Sequence, residues 1–383
     1  MSIICQEESR FSFMAQTWLE ISKSALHGNV VAIKKNLLKR QKFMAVVKAN
    51  AYGHGLLEVV SALKNDVDYL AVFDFFDAVF LRQKKISKPI LVLGKTLPSQ
   101  IPLALKHDIE ITVSTFDLLQ AAKKISGKKK LKIHLCVDTG MHRDGFVFSE
   151  MKKVLEFLPQ KNLEVAGLYA HFASADEAKF LAYTKKQISE LKIWQKELRK
   201  IGLKPLTHLA ASAGAFLGKL IEDFDLVRVG VSCYGLWASN ELKNSKQKKT
   251  KLQPALSWKA LISEVKFLPK GSAISYGCTH ILARDSKLAI LPIGYFDGIS
   301  CVSSNCGFAL VGGKKVPQIG RVTMNMIVLD VTDVFGAKEG DVATIIGRDG
   351  EEEITADDWA AWSQTSNYEI VTRLGSHLER RVV

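Results

Sequence analysis

The chain has 383 residues, 47% of them hydrophobic, and carries a net charge of +14. That length holds two domains at about 150 residues each, with apolar content enough for a sizeable core. The charge raises nucleic acid as a partner, yet the lysines are scattered and no helix-turn-helix, zinc-finger or RNP-type signature accompanies them, so no nucleic-acid partner is expected.

No run of 18 apolar residues exists, and MSIICQEESR at the start is acidic rather than signal-like. The expectation is a cytoplasmic protein with no membrane partner. The cysteines, Cys5, Cys136, Cys233, Cys278, Cys301 and Cys306, form no CxxC pair and no metal-ligand spacing. They read as free thiols in a reducing compartment, with no metal site.

Apolar runs then follow in order at Phe43–Asn50, Asp68–Asp74, Pro89–Gly94, Glu110–Ser114, Leu131–Asp138, Glu164–Phe172, Leu206–Ser212 and Leu226–Gly230. Amphipathic helical segments separate them. Their continuous Val/Ile/Leu character predicts parallel strands covered on both faces. Eight strand–helix units predict a (β/α)8 TIM-like barrel over residues 16–247. The rival, an open doubly wound sheet, would carry a glycine fingerprint after its first strand, and Gly53-His54-Gly55 does not have that spacing.

The first run is the most informative. It reads Ala45-Val46-Val47-Lys48-Ala49-Asn50-Ala51-Tyr52-Gly53-His54-Gly55 and places a lysine where an apolar strand opens into a glycine-rich turn. Burial of an unpaired ammonium is costly and lowers its pKa, which makes a usable amine nucleophile for an aldehyde cofactor. A lysine that merely snorkels out of a strand end is the plainer alternative. Lys48, Asp138, His171, Ser212 and Arg228 all fall at the ends of runs, the face where such barrels carry their chemistry.

The basic run at 243–251 (KNSKQKKTK) reads as a solvated linker, and beyond it the pattern changes. Leu256–Leu268, Leu288–Tyr295, Phe308–Val311, Ile327–Val331 and Asp341–Ile346 read as strands punctuated by glycine and proline, giving a β-rich domain over 248–383 with residues 1–15 packed on it. One helix is expected from Thr355 to about Trp362, with Thr355 and Asp358 as a capping box.

Five segments carry a family resemblance. AVVKANAYGHG (Ala45–Gly55), VDTGMHRDG (Val137–Gly145), LVRVGVSCYG (Leu226–Gly235), SYG (Ser275–Gly277) and GRVTMNMIVLD (Gly320–Asp330) occur in the order found in alanine racemases, from about Thr17 to the C-terminus. Members are pyridoxal-phosphate enzymes with a barrel and a C-terminal β domain. The resemblance implies racemisation of alanine by two bases, with Lys48 linked to pyridoxal 5'-phosphate and serving the D-enantiomer. Tyr276 serves the L-enantiomer, supplied in trans across a homodimer. It further implies Arg228 on the ring nitrogen and His171 beside the ring. Tyr52, Tyr368, Ser212, Gly230 and Val231 would hold the phosphate, aided by the dipole of a helix after the eighth strand. Arg143 and the Met324 N–H would hold the substrate carboxylate. The product would be D-alanine for peptidoglycan.

Arg228 separates these enzymes from related decarboxylases, which would carry an acid there. A racemase of broader specificity, acting on serine, and a PLP-binding protein without turnover are the alternatives. The second normally lacks a domain such as the one carrying Tyr276. Two departures from the family pattern stand out. Cys136 occupies the place of a lysine that can be carbamylated to support Arg143, so a bound anion such as chloride, or water, is expected in that role. Asn325 stands where aspartate is frequent. Asp330 reads as structural.

Overall fold

The computed structural model describes residues 15–124, 129–158 and 161–383. The chain divides into two compact units, Ser22–Ala255 and the segment up to Ile21 together with Leu256–Val383. The strand β1 (Thr17–Ile21) pairs antiparallel with β10 (Leu256–Leu261), so it belongs to the β-rich unit. Of the segment expected to pack on the β domain, residues 1–14 lie outside the described residues.

The first unit is a barrel. Its strands are β2 (Lys42–Val46), β3 (Tyr69–Val72), β4 (Ile90–Val92), β5 (Glu110–Val113), β6 (Leu131–Cys136), β7 (Leu163–Tyr169), β8 (Leu206–His208) and β9 (Leu226–Val229). All are parallel, in the order β8-β7-β6-β5-β4-β3-β2-β9. Every predicted run holds one strand, because strands buried on both faces must be apolar at successive positions. Between β8 and β9 no ladder forms. Asp225 N–H donates to Thr207 O at 2.8 Å, and Arg228 N–H to Ala210 O at 3.0 Å, which nearly closes the ring.

The basic run is not a plain linker. Ser239 caps a helix over Asn240–Lys246, its hydroxyl accepting from the Leu242 N–H at 3.3 Å. The helix looked for after the last barrel strand is only a 3-10 turn, Val231–Tyr234, too short for a useful dipole.

The second unit is a mostly antiparallel sheet. It adds β11 (Glu264–Leu268), β14 (Ser286–Leu291), β15 (Phe308–Val311), β16 (Lys314–Ile319), β17 (Ile327–Asp330), β18 (Val342–Asp349) and β20 (Glu379–Val382) to β1 and β10. Three short strands flank it: β12 (Ala273–Ile274) pairs with β13 (His280–Ile281), and β19 (Glu352–Ile354) pairs with β18. The expected helix runs over Ala356–Trp362 behind Thr355, whose N–H and hydroxyl both meet the Asp358 carboxylate at 2.7 Å. Asp330 is a local brace, accepting from the Thr332 N–H at 3.0 Å and its hydroxyl at 2.5 Å.

Candidate active site

Lys48 follows β2 by two residues and opens a tight left-handed turn. Ala49, Asn50, Ala51 and Tyr52 all have φ between 52° and 54°. Left-handed backbone costs about 1–2 kcal/mol per non-glycine residue, and strain of this kind persists where surrounding bonds over-determine it. Here Ala51 N–H donates to Val47 O, Gly53 N–H to Ala49 O and Gly55 N–H to Asn50 O, each at 3.0 Å. The Asn50 side chain accepts from the Leu56 N–H at 2.8 Å. The turn fixes the lysine and aims Tyr52 back toward β9. A Cβ on Gly230 would stand 2.4 Å from the Tyr52 hydroxyl, so only glycine lets that hydroxyl in.

Lys48 is half-buried, and its ammonium is held below the usual lysine range by burial, then by the charges of Arg143 and Arg228. The sequence expectation of a costly lysine therefore has a geometric basis.

Arg228 on β9 is buried, and among the described residues it meets no carboxylate. Nη1 donates to His208 Nδ1 at 2.7 Å and His208 O at 3.2 Å. Nη2 donates to Ala170 O at 2.8 Å, His171 Nδ1 at 3.1 Å and Leu209 O at 3.3 Å. The remaining donor, Nε–H, has no acceptor among the described residues. The guanidinium lies 5.0 Å from the centre of the Tyr169 ring, a cation–π contact. Burial pulls its pKa to about 10, still a cation at neutral pH.

His171 is neutral. Burial, then Arg228, Arg143 and Lys48, press its pKa down to about 3. Since Nδ1 accepts from Arg228, its proton sits on Nε2. His208 was not singled out from sequence, although a histidine ending an apolar strand is the same signal that marked His171.

Ser212 Oγ accepts from the Gly230 N–H at 3.0 Å and the Ser232 N–H at 3.4 Å. The Gly230 N–H is thus engaged within the protein, whereas no hydrogen bond of the described residues uses the Val231 N–H. Ser232 Oγ is buried with no partner among the described residues, an acceptor-donor that sequence reasoning missed.

Cys136 is buried. Burial, then Asp144, push its thiol up to about 12, and its side chain bonds Tyr169. A neutral thiol turned toward Tyr169 supplies no anion for Arg143, which is exposed and meets no carboxylate among the described residues. Asp138 shapes the same loop, accepting from the N–H groups of Gly140 at 2.8 Å and His142 at 3.0 Å.

The second unit carries the other candidates. Tyr276 is 72% exposed on a 3-10 turn, Tyr276–Cys278, after Ser275 at φ 63°. Met324 is 54% exposed. Its loop is held by Tyr295 N–H donating to Thr323 O and Phe296 N–H to Met324 O, both at 3.0 Å. Asn325 is exposed in that loop. Tyr368 is half-buried on the helix Asn367–Thr372, which no sequence signal had marked.

Set beside known proteins, residues 21–237 match the family described as "Alanine racemase, N-terminal domain", and residues 255–382 match "Alanine racemase, C-terminal domain". The chain belongs to the alanine racemase family. It is 38% identical to the alanine racemase of Methanococcus maripaludis, over 95% of this chain and 97% of that one. It is 37% identical to alanine racemase 2 of Bacillus subtilis, over 95% and 94%. Among solved structures, the alanine racemase of Streptomyces lavendulae superposes with a TM-score of 0.88 at 32% identity, covering 97% of both chains. That of Bacillus anthracis with bound L-Ala-P gives 0.86 at 34% identity, covering 96% of this chain and 95% of that one. The racemase fold and class expected from the motifs are therefore those of this chain, and it is an isomerase.

Proposed function

We propose that the chain interconverts L- and D-alanine with pyridoxal 5'-phosphate as its resident cofactor. Arg228 is the observation that carries this reading. A buried cation with its Nη donors committed to neutral acceptors, and one donor left over beside a lysine of depressed basicity, suits a ring nitrogen that accepts a hydrogen bond. A guanidinium can only donate, so the ring nitrogen it meets stays unprotonated. When bound, the cofactor supplies an aldehyde for the Lys48 amine and an electron sink for the charge left when a Cα–H bond breaks.

The chain's own residues do the rest. Lys48, its basicity lowered by burial and then by Arg143 and Arg228, moves the proton on one face of Cα. Tyr276 moves it on the other. Tyr52, Ser212, Val231 and Tyr368 hold the phosphate, with Ser232 Oγ as a further partner, and Gly230 leaves room for the Tyr52 hydroxyl. His171 stays neutral and steadies Arg228. Arg143 and the Met324 N–H hold the carboxylate of alanine. With Cys136 a thiol, a bound anion such as chloride, or water, supports Arg143.

The exposure of Tyr276 and Met324 supports a homodimer in which each chain lends Tyr276 to its partner. Mixing Lys48→Ala with Tyr276→Phe chains would then restore activity, and mixtures that stay inactive would remove the shared site. Among the described residues no helix is long and apolar enough to cross a membrane. A cytoplasmic enzyme supplying D-alanine for peptidoglycan completes the reading. Racemisation assays over alanine, serine and lysine test it. Alanine should turn over fastest, and faster turnover of serine or lysine would overturn the substrate, since one methylene is worth only about 1–3 kcal/mol of discrimination.

A further inference from the structure

Behind Arg228 lie three polar side chains that the proposed reaction does not use. His208 Nε2 and His134 Nδ1 are 2.9 Å apart, and His134 Nε2 is 2.7 Å from Glu110 Oε2. Together with the 2.7 Å bond from Arg228 Nη1 to His208 Nδ1, they form a continuous buried chain. The residues sit on β9, β8, β6 and β5. Since β6 and β8 are not neighbours, the two imidazoles meet across β7.

Gly167 on β7 makes that crossing possible. A Cβ there would lie 2.0 Å from His134 Nδ1. Tyr169, also on β7, stacks on His208 with ring centres 5.0 Å apart and an interplanar angle of 14°. Its hydroxyl is fixed by Thr112 at 2.9 Å.

The chain has one possible direction. Arg228 can only donate, so His208 Nδ1 accepts. A neutral imidazole then has its proton on Nε2 and donates it to His134 Nδ1. His134 in turn has its proton on Nε2 and donates to Glu110. Neither histidine can be doubly protonated without breaking a bond.

We propose that Glu110 is the remote counter-charge of Arg228, linked to it by this one-way chain through His208 and His134. It is thereby a positioning residue that sets the potential at Lys48. The link to Lys48 rests on the cofactor reading above; the chain of bonds does not. Facing Glu110 are also Arg82, which donates to the carbonyls of Ile86 at 2.6 Å and His107 at 2.9 Å, and Tyr69. Arg143, Arg228 and His171 face Lys48.

Nitrogen NMR of the histidine-labelled holoenzyme tests the direction. Two buried histidines should show a protonated Nε2 and a bare Nδ1. A proton on either Nδ1 overturns the proposal. Glu110→Gln tests the charge, because it keeps shape and an acceptor while removing the anion. The midpoint of the pH titration of the bound cofactor's visible band should fall, and kcat/KM should drop about tenfold, as for other outer-shell partners. The exposed Glu164→Gln should leave both unchanged. A lowered melting temperature with an unmoved band would mean a merely structural network and would overturn the role. If the wild type racemised nothing, the substrate reading would fail while the histidine signals still judged the chain. If Glu110→Gln failed to fold, those wild-type signals would decide alone.

Discussion

The two units carry their candidate residues in opposite ways. In the barrel, Lys48, His171, Ser212 and Arg228 are wholly or partly buried and fixed by one another, by carbonyls and by a strained turn. In the β-rich unit, Tyr276 and Met324 have exposed side chains. The barrel pays for its chemistry in advance, through desolvation and backbone strain. The other unit offers groups whose environment in a lone chain is water. Preorganised charge is worth most where water is excluded, so the same kind of substitution should have different signatures in the two units.

Lys48→Ala should break the barrel side most completely. It removes both the amine and a proton carrier, and activity should fall by at least about 10⁴. Stability should hold or rise slightly, since an ammonium strained by Arg143 and Arg228 is lost. The visible band of bound cofactor should disappear. Retention of that band would show that another amine holds the cofactor.

Tyr276→Phe is the counterpart on the exposed side. It removes one proton carrier and should cost about 10²–10⁴ in rate. Abstraction from one enantiomer should suffer more than from the other, as read by solvent isotope incorporation. Because the side chain is exposed, chemical denaturation should move by less than about 0.5 kcal/mol. Equal losses from both enantiomers would remove the two-face assignment.

Gly230→Ala sharpens the comparison within the barrel. The new methyl would stand 2.4 Å from the Tyr52 hydroxyl. Overpacking of this kind costs about 1–3 kcal/mol, so cofactor retention on dialysis should weaken roughly tenfold. A glycine of the exposed unit with open space around it, Gly271, should accept a substitution with no effect on retention, although its φ of 87° will cost some stability.

The barrel was the more legible unit for a physical reason. Strands covered on both faces must be apolar throughout, and each of the eight declares itself. The half-exposed strands of the other unit do not: β16 contains Pro317, and β20 reads Glu-Arg-Arg-Val. Leu256–Leu268 looked like one strand because nothing in Ile262-Ser263 marks the break. In the site, Lys48, Arg228 and the motif residues were readable as residue types at strand ends. The left-handed turn was not, since Ala-Asn-Ala carries no bar to ordinary helix. Nor was the His208–His134–Glu110 chain, which depends on where side chains of non-adjacent strands point and on a glycine that clears the way between them.

The smallest effect is a matter of pH. His171 is held down to about 3 by burial and neighbouring cations, and burial with Arg228 and His134 holds His208 well below its usual range. An unfolded histidine titrates near 6.5. Above that value both states are neutral there and the fold keeps its full stability. Below it the unfolded chain binds protons that the fold refuses, so stability falls as pH drops toward 3. Each such histidine contributes a slope of up to about 1.4 kcal/mol per pH unit. His171→Gln removes one of them, and urea melts between about pH 5.5 and 4 should show a slope shallower by that amount. Carboxylates common to both proteins cancel in the difference. Equal slopes would mean that His171 takes up its proton inside the fold. The barrel would then lack the fixed neutral acceptor on which the orientation of Arg228 depends, and its contrast with the solvent-facing unit would weaken at its centre.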